Sequence, residues 1–333
     1  MGPAVCFYQH LSVGDKLAVA KAMVAIRSIS TESRAELDGT SFYTWLTKHG
    51  QPEWAIVNFW DLIVLPTLND DSRRVSAAQA IMVLQEGFLS SADAADIGVS
   101  SVGLSSLLYE EATRYIESRG GRVLLGRGIR GLDGTPEGIR TAGTYGDEQF
   151  SGDVFVMAVP PRQMLALLPP GWADQPFFAP ARKLKTSPIV NMHLWLDQPV
   201  TIRPFAAYLN SHIQWVFTKS SEANTGQHLV ISISGAHKYI DMPKEALYEL
   251  LLEDLRDRIP NSREAKVLDY TIIRERDATF SAEPGSAAWR LSARTPVPNL
   301  FLAGAWTATG WPATMESAVR SGMFCADAVA AGA

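Results

Sequence analysis

The residues best suited to chemistry lie near the C-terminus, where a predicted apolar strand at 299–303 runs into a loop of small and aromatic residues. Pro312 is predicted near the first turn of the following helix, where its missing N–H group leaves no hydrogen bond unmade. The free N–H groups around Ala313 to Met315 would carry the positive end of the helix dipole, which suits an anionic ring oxygen. The same pattern is typical of an ordinary strand–loop–helix packing unit, so physical reasoning leaves both interpretations open.

Small side chains are predicted along one face of this last helix, and they would let another backbone or a flat ligand approach closely. Glu316 lies in the first helical turn, where the helix dipole explains a carboxylate without any chemistry. The small-residue face consists of Met315, Ala318, Val319, Gly322, Ala326 and Val329.

A second pattern, G-x-G-x-x-G, occurs at Gly126, Gly128 and Gly131 after a predicted strand. In dinucleotide-binding folds this motif opens a helix whose N-terminus faces the pyrophosphate. Here the residues that follow, 132–136, are typical of a turn. We therefore interpret these glycines as part of a hairpin, and no other stretch of the chain supplies the fingerprint.

The remaining reactive side chains form no recognisable catalytic or metal-binding motif. The histidines lack H-x-x-x-H and H-E-x-x-H spacing, and His193 and His212 are expected to have structural roles in strands. No phosphate-binding loop or G-x-S-x-G elbow occurs. Asn69, Asp70 and Asp71 are interpreted as a solvated turn rather than as acid–base groups. The sequence names no catalytic residue, and no metal site is predicted.

Helices are predicted to organise the first hundred residues. Ser12 and Asp15 form a pattern typical of a capping box. A second apolar stretch, 54–65, ends at Pro66, and a further helix is predicted at 76–89. The apolar face predicted for the first helix consists of Leu17, Ala20 and Val24.

From residue 104 the pattern changes to alternating helices and strands. Apolar residues at i, i+3, i+4 and i+7 predict a helix over 104–116, which the glycines at 120–121 end. A short strand is predicted at 122–125 and a turn at 133–134. The continuous apolar run at 154–159 is typical of a strand that is covered on both faces.

A mostly antiparallel sheet with one helix at 244–258 is predicted over residues 185–280. The tail then returns to a strand, a loop and a final helix. This order, with helices first, one sheet segment, a second sheet and a return to the first, indicates two interleaved domains.

Composition excludes several classes of protein. The 333 residues (36.4 kDa) are 47% hydrophobic and 20% charged, which predicts a folded chain with a full core. The net charge of −5 and the lack of a basic run argue against a nucleic-acid partner. Cys6 and Cys325 lie far apart, which fits a reducing compartment. No secretion signal or membrane-spanning segment is predicted, so we expect a cytoplasmic location.

The C-terminal segment resembles the flavin-binding motif of the amine oxidase and phytoene desaturase superfamily. The sequence at 306–313, Trp-Thr-Ala-Thr-Gly-Trp-Pro-Ala, is most similar to the squalene-associated flavoenzymes, the hydroxysqualene dehydroxylases. Residues 59–69 and 76–78 resemble the helical substrate region of that family, and 109–129 resembles its helix, double-glycine turn and strand. The resemblance covers essentially the whole chain.

The resemblance implies a fold and a cofactor. The fold class is mixed α/β with α+β character: an FAD/NAD(P)-binding-like sheet domain, incomplete at its N-terminus, is interleaved with a substrate domain of helices and antiparallel sheet. The implied cofactor is FAD. The segments are expected at 1–100 (helical substrate part), 101–165 (FAD-binding-like), 166–285 (antiparallel substrate sheet with a helix) and 286–333 (C-terminal FAD-binding strand–loop–helix).

The resemblance also assigns roles to the matching positions. Ile129 matches the residue that touches the adenine end of FAD, and Trp306, Thr307 and Trp311 are expected near the flavin ring. The residues expected to line the substrate site are Trp60, Asn69 and Trp311. The full set of expected cofactor contacts is Ile129, Gly304, Ala305, Trp306, Thr307, Pro312, Ala313, Thr314 and Met315.

This chain differs from the family pattern in two features. The family begins with a strand–GxGxxG–helix unit that holds the FAD pyrophosphate, and this chain is expected to start roughly a hundred residues after it. Ala305 stands where the family usually has an acidic residue that contacts the cofactor. FAD binding by this chain alone is therefore expected to be weak or absent, and one candidate partner is a separate N-terminal FAD-binding chain. An exposed sheet edge and an apolar face are predicted where that unit would dock.

The activity implied by the resemblance is the reductive removal of the allylic hydroxyl of hydroxysqualene, which gives squalene for hopanoid or related synthesis. The alternatives are a phytoene-type carotenoid desaturase or another amine oxidase relative. An alternative of a different class is an inactive fragment or a substrate-binding subunit. Because the isoprenoid substrate would be dissolved in a membrane, we expect weak peripheral contact with its inner face.

Overall fold

The computed structural model describes residues 8–91, 93–219 and 226–332, so Cys6 lies outside the described residues. Helices dominate the first hundred residues, as the sequence predicts. Helix α4 continues without a break from a short helical turn at Glu53–Ala55 and a π-helical turn at Ile56–Trp60. The helices are α1 (Val13–Ser28), α2 (Thr31–Ala35), α3 (Phe42–Lys48), α4 (Asp61–Leu68) and α5 (Ala77–Leu84).

Helix α1 begins with the predicted capping box. The Ser12 hydroxyl accepts a hydrogen bond from the Asp15 N–H at 3.1 Å, and the Asp15 carboxylate accepts one from the Ser12 N–H at 3.1 Å. The predicted apolar face is wrong, because Leu17, Ala20 and Val24 are exposed. The helix instead buries a face turned by about half a circle, which consists of Val19, Ala22, Met23 and Ile26.

Helix α4 continues past Pro66, where the sequence pattern predicts that the apolar stretch stops. It ends two residues later at Leu68, and Asn69 follows in the left-handed conformation with φ 57°. A left-handed residue terminates a helix, and asparagine tolerates that conformation better than most side chains. The helices bury their own apolar core, which also includes Ala282 from the far end of the chain.

Residues 104–125 confirm the predicted helix but not the predicted strand. A π-helical turn at Ser105–Tyr109 leads into α6 (Glu110–Glu117), and Gly120 ends the segment with φ 80°. The 122–125 stretch forms no strand, because no strand among the described residues pairs with it. The large apolar side chains of this region are exposed: Leu104, Leu107, Leu108, Tyr115, Ile116, Leu124 and Leu125.

The glycine-rich segment opens an antiparallel meander rather than a helix, which confirms its interpretation as a hairpin. The meander consists of β1 (Ile129–Thr135), β2 (Gly138–Thr144) and β3 (Gln149–Phe150). The turn lies at 136–137, so the predicted turn at 133–134 is wrong. Gly134 instead lets β1 and β2 approach each other closely, because a Cβ at this position would lie 2.7 Å from the Gly138 carbonyl oxygen.

The 154–159 run forms β4 (Phe155–Met157), and β4 pairs in parallel with β10 (Leu300–Leu302). These two strands form a separate small sheet, followed by the helices α7 (Pro161–Leu167) and α9 (Met315–Ala330), respectively. The expectation that both faces of β4 are covered is wrong. Val154 and Val156 are 40% and 50% exposed, because no described element packs on that side.

The antiparallel sheet and its helix form as predicted. The strand order is β6–β7–β8–β5–β9, and α8 (Lys244–Arg258) has the predicted bounds. One face of the sheet packs against α8 through residues such as Met192, Leu194 and Ile231. The strands are β5 (Thr186–Leu196), β6 (Phe205–Ala207), β7 (Trp215–Lys219), β8 (Gln227–Ile233) and β9 (Val267–Phe280).

Candidate cofactor site

A cavity of about 870 Å³ lies where β4 and β10 end. The loop after β10 supplies Gly304, Ala305 and Trp306 to its wall, and the start of α9 supplies Ala313 and Met315. Thr314 and Ala318 line it as well. The structure therefore brings six of the nine residues predicted to contact the cofactor to one cavity, where their small side chains leave room for a flat ligand.

Several hydrogen bonds hold the loop after β10 in place. The Trp306 indole N–H donates to the Val159 carbonyl oxygen at 2.8 Å, and the Gly304 N–H donates to the Ser321 hydroxyl at 2.7 Å. The Thr307 hydroxyl donates to the Gly304 carbonyl oxygen at 3.0 Å. Gly304 has φ 127°, and a Cβ there would lie 3.0 Å from the Trp306 ring, so only glycine fits without distortion.

Helix α9 begins later, and packs by a different face, than the sequence predicts. Thr314 is the N-cap and accepts from the Ser317 N–H at 3.2 Å, so Pro312 precedes the cap instead of lying in the first turn. The helix buries Ser317, Ser321 and Cys325. The predicted small-residue face is directed outward, and Met315 and Val319 are 61% and 59% exposed.

A second cavity of about 590 Å³ contains Ile129, the residue expected at the adenine end of the cofactor. Ala158, Val159 and Gln163 line both cavities, so the two spaces meet at the end of β4. Two joined, largely apolar spaces next to a strand end suit an elongated ligand with a ring at each end, as FAD is. The residues present therefore fit FAD in this trough.

Four charged side chains line the first cavity, and two of them form ion pairs: the four are Arg162, Arg182, Lys185 and Asp277. The Arg182 guanidinium lies 2.7 Å from the Asp174 carboxylate, and the Lys185 ammonium lies 2.9 Å from the Glu283 carboxylate. Arg162 also lines the cavity and forms no ion pair with the described residues. An anionic ligand can therefore be matched by Arg162 without breaking an existing pair.

A buried arginine that the sequence analysis missed supports this cavity from behind. Arg290 is 8% exposed, and its guanidinium donates to the carbonyl oxygens of Ala305 and Trp306 at 3.0 and 3.2 Å. Arg290 belongs to no motif. The one feature of the sequence that could have pointed to it is that Arg290 is the one charged residue between Glu283 and Arg294, in a stretch of small and apolar residues.

The remaining predicted site residues lie away from the two cavities. Thr307 and Pro312 are buried behind the loop, and the Trp311 ring lies under the Arg320 guanidinium at 4.5 Å. Trp60 is fully buried in the helical core and donates its indole N–H to the Gln51 side chain at 2.9 Å. Asn69 is also buried, and its amide is used in hydrogen bonds within the protein. Neither Trp60 nor Asn69 lines either of the two cavities.

Three histidines and one buried carboxylate outside the cavities have protein partners. His193 Nδ1 lies 3.1 Å from His228 Nε2, and burial lowers the pKa of both rings. His237 Nε2 lies 2.9 Å from the buried Asp70 carboxylate, so Asp70 is not part of a solvated turn as predicted. Within residues 8–91, 93–219 and 226–332, no group of three or more metal-ligating side chains occurs.

Comparison with known protein families indicates the cofactor. The sequence pattern of the family described as flavin containing amine oxidoreductase matches residues 3–330. The chain belongs to this family. FAD is the cofactor that this family implies.

Proteins of similar sequence include hydroxysqualene dehydroxylases and phytoene desaturases. The chain is 34% identical to the hydroxysqualene dehydroxylase of Sinorhizobium fredii over 80% of its length, and 33% identical to that of Rhodopseudomonas palustris over 81%. It is 24% identical to the 15-cis-phytoene desaturase of Solanum lycopersicum over 88% of its length. The chain spans 60%, 61% and 52% of these relatives, respectively.

Solved structures of similar fold include other oxidoreductases. An oxidoreductase from Methanosarcina mazei superposes with a TM-score of 0.75 at 16% identity, over 95% of this chain and 73% of that one. Putrescine oxidase bound to putrescine superposes with a TM-score of 0.70 at 19% identity, over 96% of this chain and 76% of that one. These similarities confirm the predicted fold class, a mixture of helices and sheets.

Proposed function

We propose that this chain is part of an FAD-dependent oxidoreductase that acts on a long isoprenoid, and that its reaction is the reductive dehydroxylation of hydroxysqualene to squalene. The observation that carries this proposal is the trough itself: Gly304, Ala305 and Trp306 line one cavity, which joins the cavity containing Ile129. The similarity to two hydroxysqualene dehydroxylases supports the choice of substrate.

In this reaction the allylic C–O bond breaks, the hydroxyl group leaves as water after gaining a proton, and the carbon gains a hydride. The substrate thus takes up two electrons and two protons overall. Reduced FAD, when bound, supplies the hydride. The chain contributes binding, orientation and exclusion of water, and the apolar wall formed by Ala305, Trp306 and Phe280 suits a hydrocarbon next to a flat ring.

Product analysis tests the substrate directly. The purified chain would be incubated with FAD, a chemical reductant and hydroxysqualene, and in parallel with FAD, an electron acceptor and phytoene. We expect hydroxysqualene to be converted to squalene, as identified by mass spectrometry. Consumption of phytoene alone would replace this proposal with a carotenoid desaturase.

A second candidate function is supported by the surface around β4. Val154 just before β4, Val156 on β4, and Val319 and Met323 on α9 are all exposed, whereas parallel strands are normally covered on both faces. This surface suits a further strand–GxGxxG–helix segment, in the same or another polypeptide, without which the chain would bind substrate but not FAD. Adding the N-terminal segment of a relative should then tighten FAD binding, as followed by flavin fluorescence.

We also propose that the protein contacts a membrane surface, because its substrate would be dissolved there. Val13, Leu17 and Val24 project from the outer side of α1, and Trp54 is exposed at the helical turn beside it. Such a cluster is typical of a helix that lies in a lipid interface. None of the described helices is long and apolar enough to cross a bilayer.

A further inference from the structure

The guanidinium of Arg290 lies directly behind the wall of the first cavity. Its Nη2 donates to the Ala305 carbonyl oxygen and to the Thr309 hydroxyl, both at 3.0 Å, and its Nε donates to the Trp306 carbonyl oxygen at 3.2 Å. Its carbon centre lies 4.7 Å from the centre of the Phe280 ring. Ala305, Trp306 and Phe280 all line the cavity, so one guanidinium contacts three parts of its wall.

The positive charge of Arg290 is not neutralised by a neighbouring carboxylate. Within the described residues, no Asp or Glu oxygen lies within 4 Å of it, and Asp38 acts on it only from farther away. Burial lowers the pKa of Arg290 to about 10, which still leaves the group protonated at neutral pH. A buried unpaired cation is costly, so its retention calls for a role beyond packing.

The same arginine belongs to a buried network that joins the loop to α9. The Thr309 hydroxyl lies 2.6 Å from the Ser317 hydroxyl, and Ser317 donates to the Ala305 carbonyl oxygen at 2.8 Å. Ala305 is therefore held by both Arg290 and Ser317. Neutral serine or threonine side chains alone could donate hydrogen bonds to such a loop. Hydrogen bonding therefore does not explain why a positively charged side chain stands at position 290.

We propose that Arg290 is a positioning residue for FAD, which fixes the loop 304–309 and biases the cavity electrostatically toward a reduced, anionic flavin ring. This inference rests on the proposed function. The guanidinium directs the carbonyl oxygens of Ala305 and Trp306 toward itself and away from the ligand. Its charge, separated from the cavity by one layer of residues, lowers the free energy of negative charge in the cavity.

The first test measures the redox equilibrium of bound FAD in the wild-type chain and in Arg290→Gln, which keeps a hydrogen-bond donor and removes the charge. At the potential where wild-type flavin is half reduced, the ratio of reduced to oxidised flavin should fall about tenfold in Arg290→Gln. Arg294→Met is the matched control, because Arg294 is exposed and contacts the Ala328 carbonyl oxygen near the end of α9. It should leave the ratio unchanged.

A second variant distinguishes the effect of the Arg290 charge from the effect of its hydrogen bonds. It also keeps the proposal testable if Arg290→Gln does not fold. Arg290→Lys keeps the cation but cannot bond three acceptors at once. We expect it to retain the wild-type redox ratio at neutral pH. Because a buried lysine loses its proton more readily than an arginine, the ratio should fall more steeply with rising pH than in the wild type.

Hydrogen exchange of the backbone amides of residues 304–309, measured without FAD, tests whether Arg290 holds this loop in place. It does so independently of any electrostatic effect on the flavin. Exchange should be faster in both Arg290 variants and unchanged in Arg294→Met. If the wild type binds FAD but Arg290→Gln and Arg294→Met have the same redox ratio, the electrostatic inference is overturned while the proposed function stands. If the wild type binds no FAD even after the N-terminal segment of a relative is added, both the proposed function and the cofactor role of Arg290 fail.

Discussion

The Ser187 hydroxyl donates a 2.6 Å hydrogen bond to the carbonyl oxygen of Asn69, a residue 118 positions earlier in the chain. The Asn69 amide donates in return to the Ser187 carbonyl oxygen and to the Thr279 hydroxyl, both at 2.9 Å, and accepts from the Gly235 N–H at 2.8 Å. One buried asparagine thus joins the end of α4 to the start of β5, the end of β9 and the loop after β8.

Asn69→Ala should destabilise the protein by about 2–4 kcal/mol, because it removes three buried hydrogen bonds and places alanine in the left-handed conformation. Asn210→Ala is the matched control, since Asn210 also has positive φ but is exposed and makes one side-chain bond, to Asn58. Its effect should be about 1 kcal/mol. Urea unfolding measures both, and equal effects would contradict a structural role for the Asn69 amide.

Asp61 should make stability depend on pH between about 4 and 6. Burial raises the pKa of its carboxyl to about 6, despite the hydrogen bond that it accepts from the Ser72 N–H at 2.8 Å. Since the folded chain then holds this proton more tightly than the unfolded chain, the contribution of Asp61 to stability is complete below about pH 4 and is lost as the pH rises to about 6.

Asp61→Asn should remove this dependence and raise the free energy of unfolding at pH 7 by up to about 3 kcal/mol. The Asn oxygen can still accept from Ser72. Asp257→Asn is the control, because the Asp257 side chain is 72% exposed and its loss should change the profile little. Urea unfolding from pH 4 to pH 7 tests the pair, and parallel profiles for wild type and Asp61→Asn would exclude the effect.

Gly304→Ala should distort the cavity wall. The new Cβ would contact the Trp306 ring, and the φ of 127° is strained for alanine, so a loss of about 1–3 kcal/mol in stability is expected together with weaker FAD binding. Gly322→Ala is expected to raise the stability instead, because a Cβ at that position in α9 has open space around it. It should stabilise the helix by about 0.5–1 kcal/mol. Thermal unfolding and FAD titration of the two variants distinguish these outcomes.

The exposed side of α1 should contribute to membrane contact. Leu17→Glu combined with Val24→Glu should abolish co-sedimentation with liposomes of mixed zwitterionic and anionic lipid. Leu268→Glu, an exposed apolar position on β9, should leave it unchanged. If the wild-type chain sediments no more than a soluble control protein does, membrane contact through α1 is ruled out.

Helix bounds could be predicted where the signal is local. Helix α8 has its predicted limits because apolar residues recur over 15 positions after Pro243, and the capping box of α1 needs only Ser12 and Asp15. The strand at 122–125 could not be predicted from local sequence in this way, since a strand forms only when it pairs with another strand. Its composition was suitable, but no described strand lies beside it.

Burial and long-range polar contacts were the least predictable features. Leu17 and Val319 fit apolar faces in the sequence, yet which side of a helix is buried depends on the elements that pack against it. Asn69 looked like part of a solvated turn or a substrate contact, because its partners Ser187 and Thr279 are far away in sequence. Arg290 carried no motif, since its partners are mainly backbone carbonyl oxygens of a loop that follows it.

The junction of the two cavities at Val159 has a consequence for how a long ligand would be bound. Val159 lines both spaces, and its carbonyl oxygen is already occupied by the Trp306 indole. A dinucleotide lying across this point would have its two rings in separate chambers. Free AMP and free riboflavin should therefore bind at the same time without competing, and the tighter binding of the joined molecule would come mainly from the tether between its halves.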